Sequence, residues 1–169
     1  MTSDKKMVLE PLALYGSWTG TQIEQFLVHT RIPLRLSMIS KAGMLIVPVW
    51  FQYQANVFLS CSPEDSLLVQ SLRKNPEVAF DISTNELPYQ GVRGRGVARC
   101  VQADDNSTLE TLLERYVAGT DNTLARFLLN RKGHEALIEI EPRWLTSWDF
   151  SGRMNDVEKI SVRFPDSPL

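Results

Sequence analysis

Apolar and polar positions alternate with a period of two through most of this chain, and with a helical period at four places. The alternation is clearest between Leu34 and Ser62. Three runs rich in β-branched, aromatic and aliphatic residues follow one another there, separated by Lys41-Ala42-Gly43 and by Gln54-Ala55-Asn56. Such spacing predicts an antiparallel meander. In the first run Leu34, Leu36 and Met38 point one way and Arg35 and Ser37 the other, because side chains on a strand alternate faces. The second run, Met44 to Tyr53, is apolar on both faces and is expected to be covered on both. Val78, Phe80 and Ile82 mark a fourth strand. Gly91–Val101 reads as a long fifth strand, with Val92, Gly94, Gly96, Ala98 and Cys100 on one face and Arg93, Arg95 and Arg99 on the other. Ala136–Ile140 is a sixth. Trp144–Phe150 is a seventh, or the second half of one strand broken at Pro142.

Helical spacing appears at Ile23, Phe26 and Leu27, with Thr21 and Glu24 as a capping box. The helix must stop before Pro33. Ser62-Pro63-Glu64-Asp65 reads as the start of a second helix with Leu67, Leu68 and Leu72 on its apolar side. Residues 107–118 and 122–131 form two more, the first closed by Gly119, the second carrying Leu124, Phe127 and Leu128 and ending before Gly133. Residues 1–19 read as irregular, with Leu9, Leu12, Leu14, Tyr15 and Trp18 lying against a surface. The tail 152–169 is polar, with Pro165 and Pro168. Short antiparallel strands with a few helices imply a single α+β, mainly β domain built on a barrel.

Composition narrows this picture. The chain has 169 residues, 43% hydrophobic and 22% charged, with a net charge of −2. That is ordinary for one globular domain and gives no case for nucleic acid as a partner. Met44–Phe51 is the longest apolar run and is too short to span a bilayer. Lys5 and Lys6 are followed by no long apolar segment, so a signal peptide is not expected and cytoplasm is the default. Cys61 and Cys100 fit a reducing compartment.

An arginine inside a strand pattern needs an anion or a carboxylate. For Arg35 the choices are water at a strand edge, an Asp or Glu partner, or a phosphate. For the stripe Arg93, Arg95, Arg99 they are salt bridges to acids such as Asp104, or an anion site at Arg95. Trp50, Trp144 and Trp148 read first as core or interface residues. His29 and His134 lack metal-ligand spacing and read as surface or capping residues. Cys61 is a small buried apolar residue or a reactive thiol.

The ordered set Arg35-Leu36-Ser37-Met38, Val47-Pro48-Val49-Trp50-Phe51, Leu59-Ser60-Cys61-Ser62, Leu72-Arg73-Lys74-Asn75-Pro76, Tyr89-Gln90-Gly91-Val92-Arg93-Gly94-Arg95-Gly96 and Ser147-Trp148-Asp149-Phe150-Ser151 resembles the pyridoxamine 5′-phosphate oxidase-like proteins. The resemblance covers roughly residues 20–153, leaving 1–19 and 154–169 as extensions. It implies a six-stranded antiparallel split β-barrel with flanking helices, a homodimer, and FMN at the subunit interface. It places Arg35 and Ser37 on the phosphate side, with Met38 next to them. Pro48, Val49 and Trp50 fall beside the ring, and Ser60, Cys61 and Ser62 continue the wall. Arg95 and Trp148 contribute near the ring or from the partner chain. Leu68 stands where the family often has a phosphate-binding lysine, and no arginine- and histidine-rich substrate signature follows Phe150. The expectation is therefore an FMN-dependent oxidoreductase of undefined substrate. The alternatives are a deazaflavin- or haem-binding barrel, and a non-enzymatic barrel that stores or senses flavin or binds nothing.

Overall fold

The computed structural model describes residues 13–103, 105–131 and 134–157. Leu9, Leu12, Asp104, Gly133 and the tail from 158 onward lie outside them. Eight strands form one sheet: β1 Ala13–Gly16, β2 Leu34–Ser40, β3 Gly43–Val49, β4 Gln52–Gln54, β5 Val57–Pro63, β6 Glu77–Ser83, β7 Gln90–Gln102 and β8 Glu135–Asp149. Four helices accompany them: α1 Gly20–His29, α2 Leu67–Lys74, α3 Ser107–Val117 and α4 Thr123–Leu129. The α+β class holds, and the strand count is eight rather than six.

The sheet runs β3-β2-β6-β7-β8-β5-β4, and all of its pairs are antiparallel except β1, which joins β8 in parallel. Strands β3 and β4 end opposite edges of this path, yet only Trp50 and Phe51 separate them in sequence. Six strand spacings of a flat sheet would hold them about 29 Å apart. A two-residue connector spans at most about 11 Å between its flanking Cα atoms. The sheet therefore has to curl until its ends meet. The interior fills with Leu34, Leu36, Met38, Phe51, Phe58, Phe80, Ile82, Ile138 and Leu145.

This order corrects the expected meander. β2 and β3 form a hairpin, but β3 does not pair with the strand that follows it. Nor is β3 covered on both faces: Met44 is 76% and Ile46 71% exposed. Alternation along a single strand cannot reveal that the strand is a free edge.

The capping box of α1 is Thr19 with Gln22, two residues before the expected pair. Helix α2 starts at N-cap Ser66 and not at Ser62, because Pro63 is still paired with Glu135 in the sheet. Leu67, expected on its apolar side, is exposed, while Val69 is buried. Leu124 and Phe127 are likewise exposed on α4, which buries Ala125 instead. Residue Ala118, in the left-handed region at φ 58°, caps α3 just before Gly119. Strand β8 is continuous through Pro142; Arg95 pairs with Trp144 and Gly96 with Pro142, so Arg143 bulges out. A Cβ at Gly96 would lie 2.3 Å from the Glu141 carbonyl oxygen.

Two contacts tie the N-terminal region to the barrel. Arg115 of α3 donates to the carbonyls of Val28 (2.5 Å), Leu27 (2.9 Å) and Thr30, while its guanidinium lies over the Phe51 ring at 5.3 Å. These acceptors are the orphan carbonyls at the C-terminal end of α1, where a cation is also favoured by the helix dipole. The other contact follows β1, a strand inside a region expected to be irregular. Gly16 sits at φ +105°, where an added Cβ would meet the Ser147 carbonyl oxygen at 2.0 Å. Just beyond it, Trp18 Nε1 donates to Asp149 Oδ2 at 3.1 Å. Asp149 Oδ1 accepts from the Ser151 amide (2.8 Å) and hydroxyl (2.5 Å).

The Ser151 bonds, then Trp18, hold the Asp149 carboxyl below the ordinary carboxylate range. A carboxylate with a depressed folded pKa stabilises the fold above its unfolded value of about 4 and loses that contribution as pH falls through the lower folded value. Asp149→Asn is expected to flatten the acid limb of stability below about pH 4. Circular dichroism during acid titration of both proteins is the check; identical limbs would remove Asp149 from the acid response.

Candidate functional site

The meeting of the sheet's two ends is incomplete. Between β3 and β5 no ladder forms, and the gap is a cleft of about 320 Å³. Val47, Pro48, Val49 and Trp50 form one wall and Cys61, Ser62 and Pro63 the other. Leu68 of α2, Leu109 and Leu112 of α3 and Leu128 of α4 close it over, with Arg131 and Glu135 at one side. Thus Pro48, Val49, Trp50, Cys61, Ser62 and Leu68, singled out from the sequence, are assembled by the fold.

Their environments are largely apolar and already partnered. Trp50 stacks on Tyr116 at 5.2 Å and 7°, a pair worth about 1 kcal/mol beyond its buried area. The Phe51 amide donates to the Tyr116 hydroxyl at 3.3 Å. Ser62 Oγ bonds Ser66 Oγ at 3.1 Å, and Ser66 in turn accepts from the Val69 amide to cap α2. Arg131 is ion-paired with Glu135. Burial first, then Glu135, pushes the Cys61 thiol up to about 12, with Arg131 opposing.

The remaining sequence-predicted residues lie elsewhere. Met38 and Ser60 face the barrel interior, 2% and 1% exposed, and Ser60 Oγ has no partner among the described residues. Trp148 packs against Phe150 at 5.3 Å. Arg35, Ser37 and Arg95 line a second groove, of about 450 Å³, on the outer face of the sheet. Arg35 finds a carboxylate there: Nη1 donates to Asp81 Oδ2 at 2.9 Å and to Ser83, and Nη2 to Asn85 Oδ1 at 2.6 Å. Arg95 lies 5.3 Å over the Trp144 ring. Arg99 is ion-paired with Glu139, directly opposite on β8.

Sequence reasoning missed the contribution of the helices. The apolar face of α3 was legible, but nothing in its period says that it closes a cleft or that Tyr116 meets Trp50. Asp81 was legible only as the polar side of a strand; its pairing with Arg35 depends on β6 lying beside β2. His29 Nδ1 lies 2.8 Å from the Gln25 carbonyl within its own helix, and neither histidine lines either groove. Among the described residues no three potential metal ligands cluster. No helix among them is long and apolar enough to cross a membrane.

Neither a protein-family model nor a curated protein matches the chain. Solved structures do. A conserved hypothetical protein of Mycobacterium tuberculosis aligns with a TM-score of 0.65 at 19% identity, over 89% of this chain and 96% of that one. An F420 reductase aligns at 0.60 and 17%, over 72% and 94%. HutZ, the haem storage protein from Vibrio cholerae, aligns at 0.56 and 16%, over 73% and 89%. The chain has the fold of the pyridoxamine 5′-phosphate oxidase-like split barrels. At these identities the likeness concerns the fold.

The Cys61 side chain lines this cleft. With its pKa near 12, Cys61 is a protonated small side chain at neutral pH and not a nucleophile. Alkylation by iodoacetamide at pH 8 is expected to be slower at Cys61 than in the unfolded chain by about a hundredfold or more. Peptide mapping of a time course measures it, and rapid native labelling would show the thiol to be activated.

Proposed function

We propose that this split barrel binds a flavin in the cleft between β3 and β5, with FMN the first expectation, and works as a homodimeric oxidoreductase. One observation carries the reading: an apolar cleft at the barrel seam is bounded by a strand, β3, whose own apolar side chains are left open beside it. A flat apolar ring fits against Pro48, Val49, Leu109 and Leu112, which also exclude water. Of the polar residues in the lining, Ser62, Arg131 and Glu135, the first two would donate to the ring edge or the ribityl phosphate. The bound flavin would supply two-electron transfer, and the protein orientation and electrostatics. The exposed Met44 and Ile46 on β3 suit a second copy, since an apolar free edge strand invites pairing.

For a phosphate the cleft lining holds one cation, Arg131. Leu68 replaces the expected lysine, and Arg131 shares its charge with Glu135. That favours a deazaflavin as the second reading. Haem is supported least: of the usual axial ligand types the cleft lining offers Cys61, which burial keeps protonated.

Leu68→Lys separates these readings. It is expected to tighten FMN binding by about tenfold, the scale of one added charge-assisted hydrogen bond. Flavin fluorescence quenching measures the affinity, and a visible spectrum after FMN addition and desalting measures retention. A cleft that holds no flavin in either protein would overturn the proposal. On the dimer, Ile46→Glu is expected to give a folded monomer by sedimentation that no longer retains flavin. A flavin-saturated monomer would place the cofactor away from the interface.

A further inference from the structure

The groove on the outer sheet face is a second site, built differently from the cleft. Strand register places Arg35, Asp81 and Arg93 side by side on β2, β6 and β7. Ser37, Ala79, Arg95 and Trp144 form the next row, on β2, β6, β7 and β8. Directly paired residues share a face, and the two rows lie about 7 Å apart, two residues along the strands. Ala79 sits mid-row with a side chain too short to fill the space between Ser37 and Arg95. The outcome is a hollow of about 450 Å³ walled by Ile46 and Trp144, within the usual range for small ligands.

Three guanidiniums line this hollow against one carboxylate, an excess of two positive charges in a chain whose net charge is −2. Asp81 is already committed: its Oδ2 accepts from Arg35 at 2.9 Å and from the Ser83 hydroxyl at 2.6 Å. Elsewhere the chain supplies its sheet arginines with acids, Arg99 with Glu139 and Arg143 with Glu77. The register neighbours of Arg95 are Ala79 and Trp144, and those of Arg93 are Asp81 and Thr146. Among the described residues neither Arg93 nor Arg95 has an ion-pair partner, and like charges held close on one sheet face repel. An anion relieves that repulsion, and paired guanidinium N–H groups match the oxygens of a carboxylate or phosphate. Arg95 is steered by the Trp144 ring beneath it, which also offers a flat apolar surface inside the hollow.

From this geometry we infer that the outer-face groove binds a small aromatic anion, its carboxylate or phosphate on Arg93 and Arg95 and its ring against Trp144 and Ile46. This is a substrate- or effector-type site separate from the flavin cleft, and it stands on its own residues whether or not the cleft holds a flavin. Ile46 belongs to β3, so a second copy seated on that strand would border the groove.

The test titrates flavin-free protein with benzoate, phenyl phosphate and inorganic phosphate by calorimetry, with benzyl alcohol as the neutral control. Saturable binding of benzoate or phenyl phosphate, tighter than inorganic phosphate and absent for the alcohol, is expected; their ranking tells carboxylate from phosphate recognition. Arg95→Gln and Arg93→Gln should each weaken it by about tenfold, while Arg99→Gln, on the same strand face, leaves it unchanged. No saturable binding, or equal weakening by Arg99→Gln, overturns the inference. Competition by FMN would assign the arginines to the cofactor instead and overturn the separation of sites. Binding seen only in a Met44→Glu monomer, whose substitution lies on β3 outside the groove lining, would mean that a second copy fills the groove, which also overturns it.

Discussion

Two residues, Trp50 and Phe51, impose the constraint on which the rest of the structure depends. They join the two strands that the hydrogen-bond path places at opposite ends of the sheet, so the sheet closes or the chain cannot connect. Closure without a ladder leaves a seam, and a seam in an apolar wall must be covered or occupied. Helices α3 and α4 cover its outer side, where Leu109, Leu113 and Ala125 pack with Trp50 and Cys61. The connector is anchored from both sides: Trp50 stacks on Tyr116, and Phe51 is buried in the barrel against Phe58. The candidate cofactor cleft is thus a by-product of how the barrel shuts.

Much of the local structure was legible in the sequence, because alternation and capping are local signals. Leu34, Leu36 and Met38 do face the core, and so do Val78, Phe80 and Ile82. The failures share a cause. Ser62-Pro63 looks like a helix start, but its backbone is claimed by β8, so the helix waits for Ser66. The apolar run in β3 looks like a central strand and is an edge, and Leu67, Leu124 and Phe127 look inward and are exposed. In each case a distant partner, or the lack of one, decides what a local pattern cannot.

The site divides along the same line. Residues recruited from contiguous stretches, Pro48 to Trp50 and Cys61 to Ser62, meet because β3 and β5 flank the seam. Arg35 and Ser37 pair directly with Pro48 and Ile46 and share their outer face, yet they line the other groove. That outer face runs from Pro48 at the seam across β2 to Asp81 on β6 and Arg93 on β7, so it reaches from one groove into the other. A linear reading puts them in one pocket; the order of the strands puts them in two.

Arg115 adds a mechanical consequence. Its side chain leaves α3, passes over Phe51 at the connector and ends on the last carbonyls of α1. The helix that roofs the cleft and the helix nearest the N-terminus are therefore clasped by one guanidinium. Any motion that swings α3 outward withdraws that clasp and leaves three carbonyls at the end of α1 without their donor. Outward displacement of α3 and fraying of α1 would therefore be linked through Arg115.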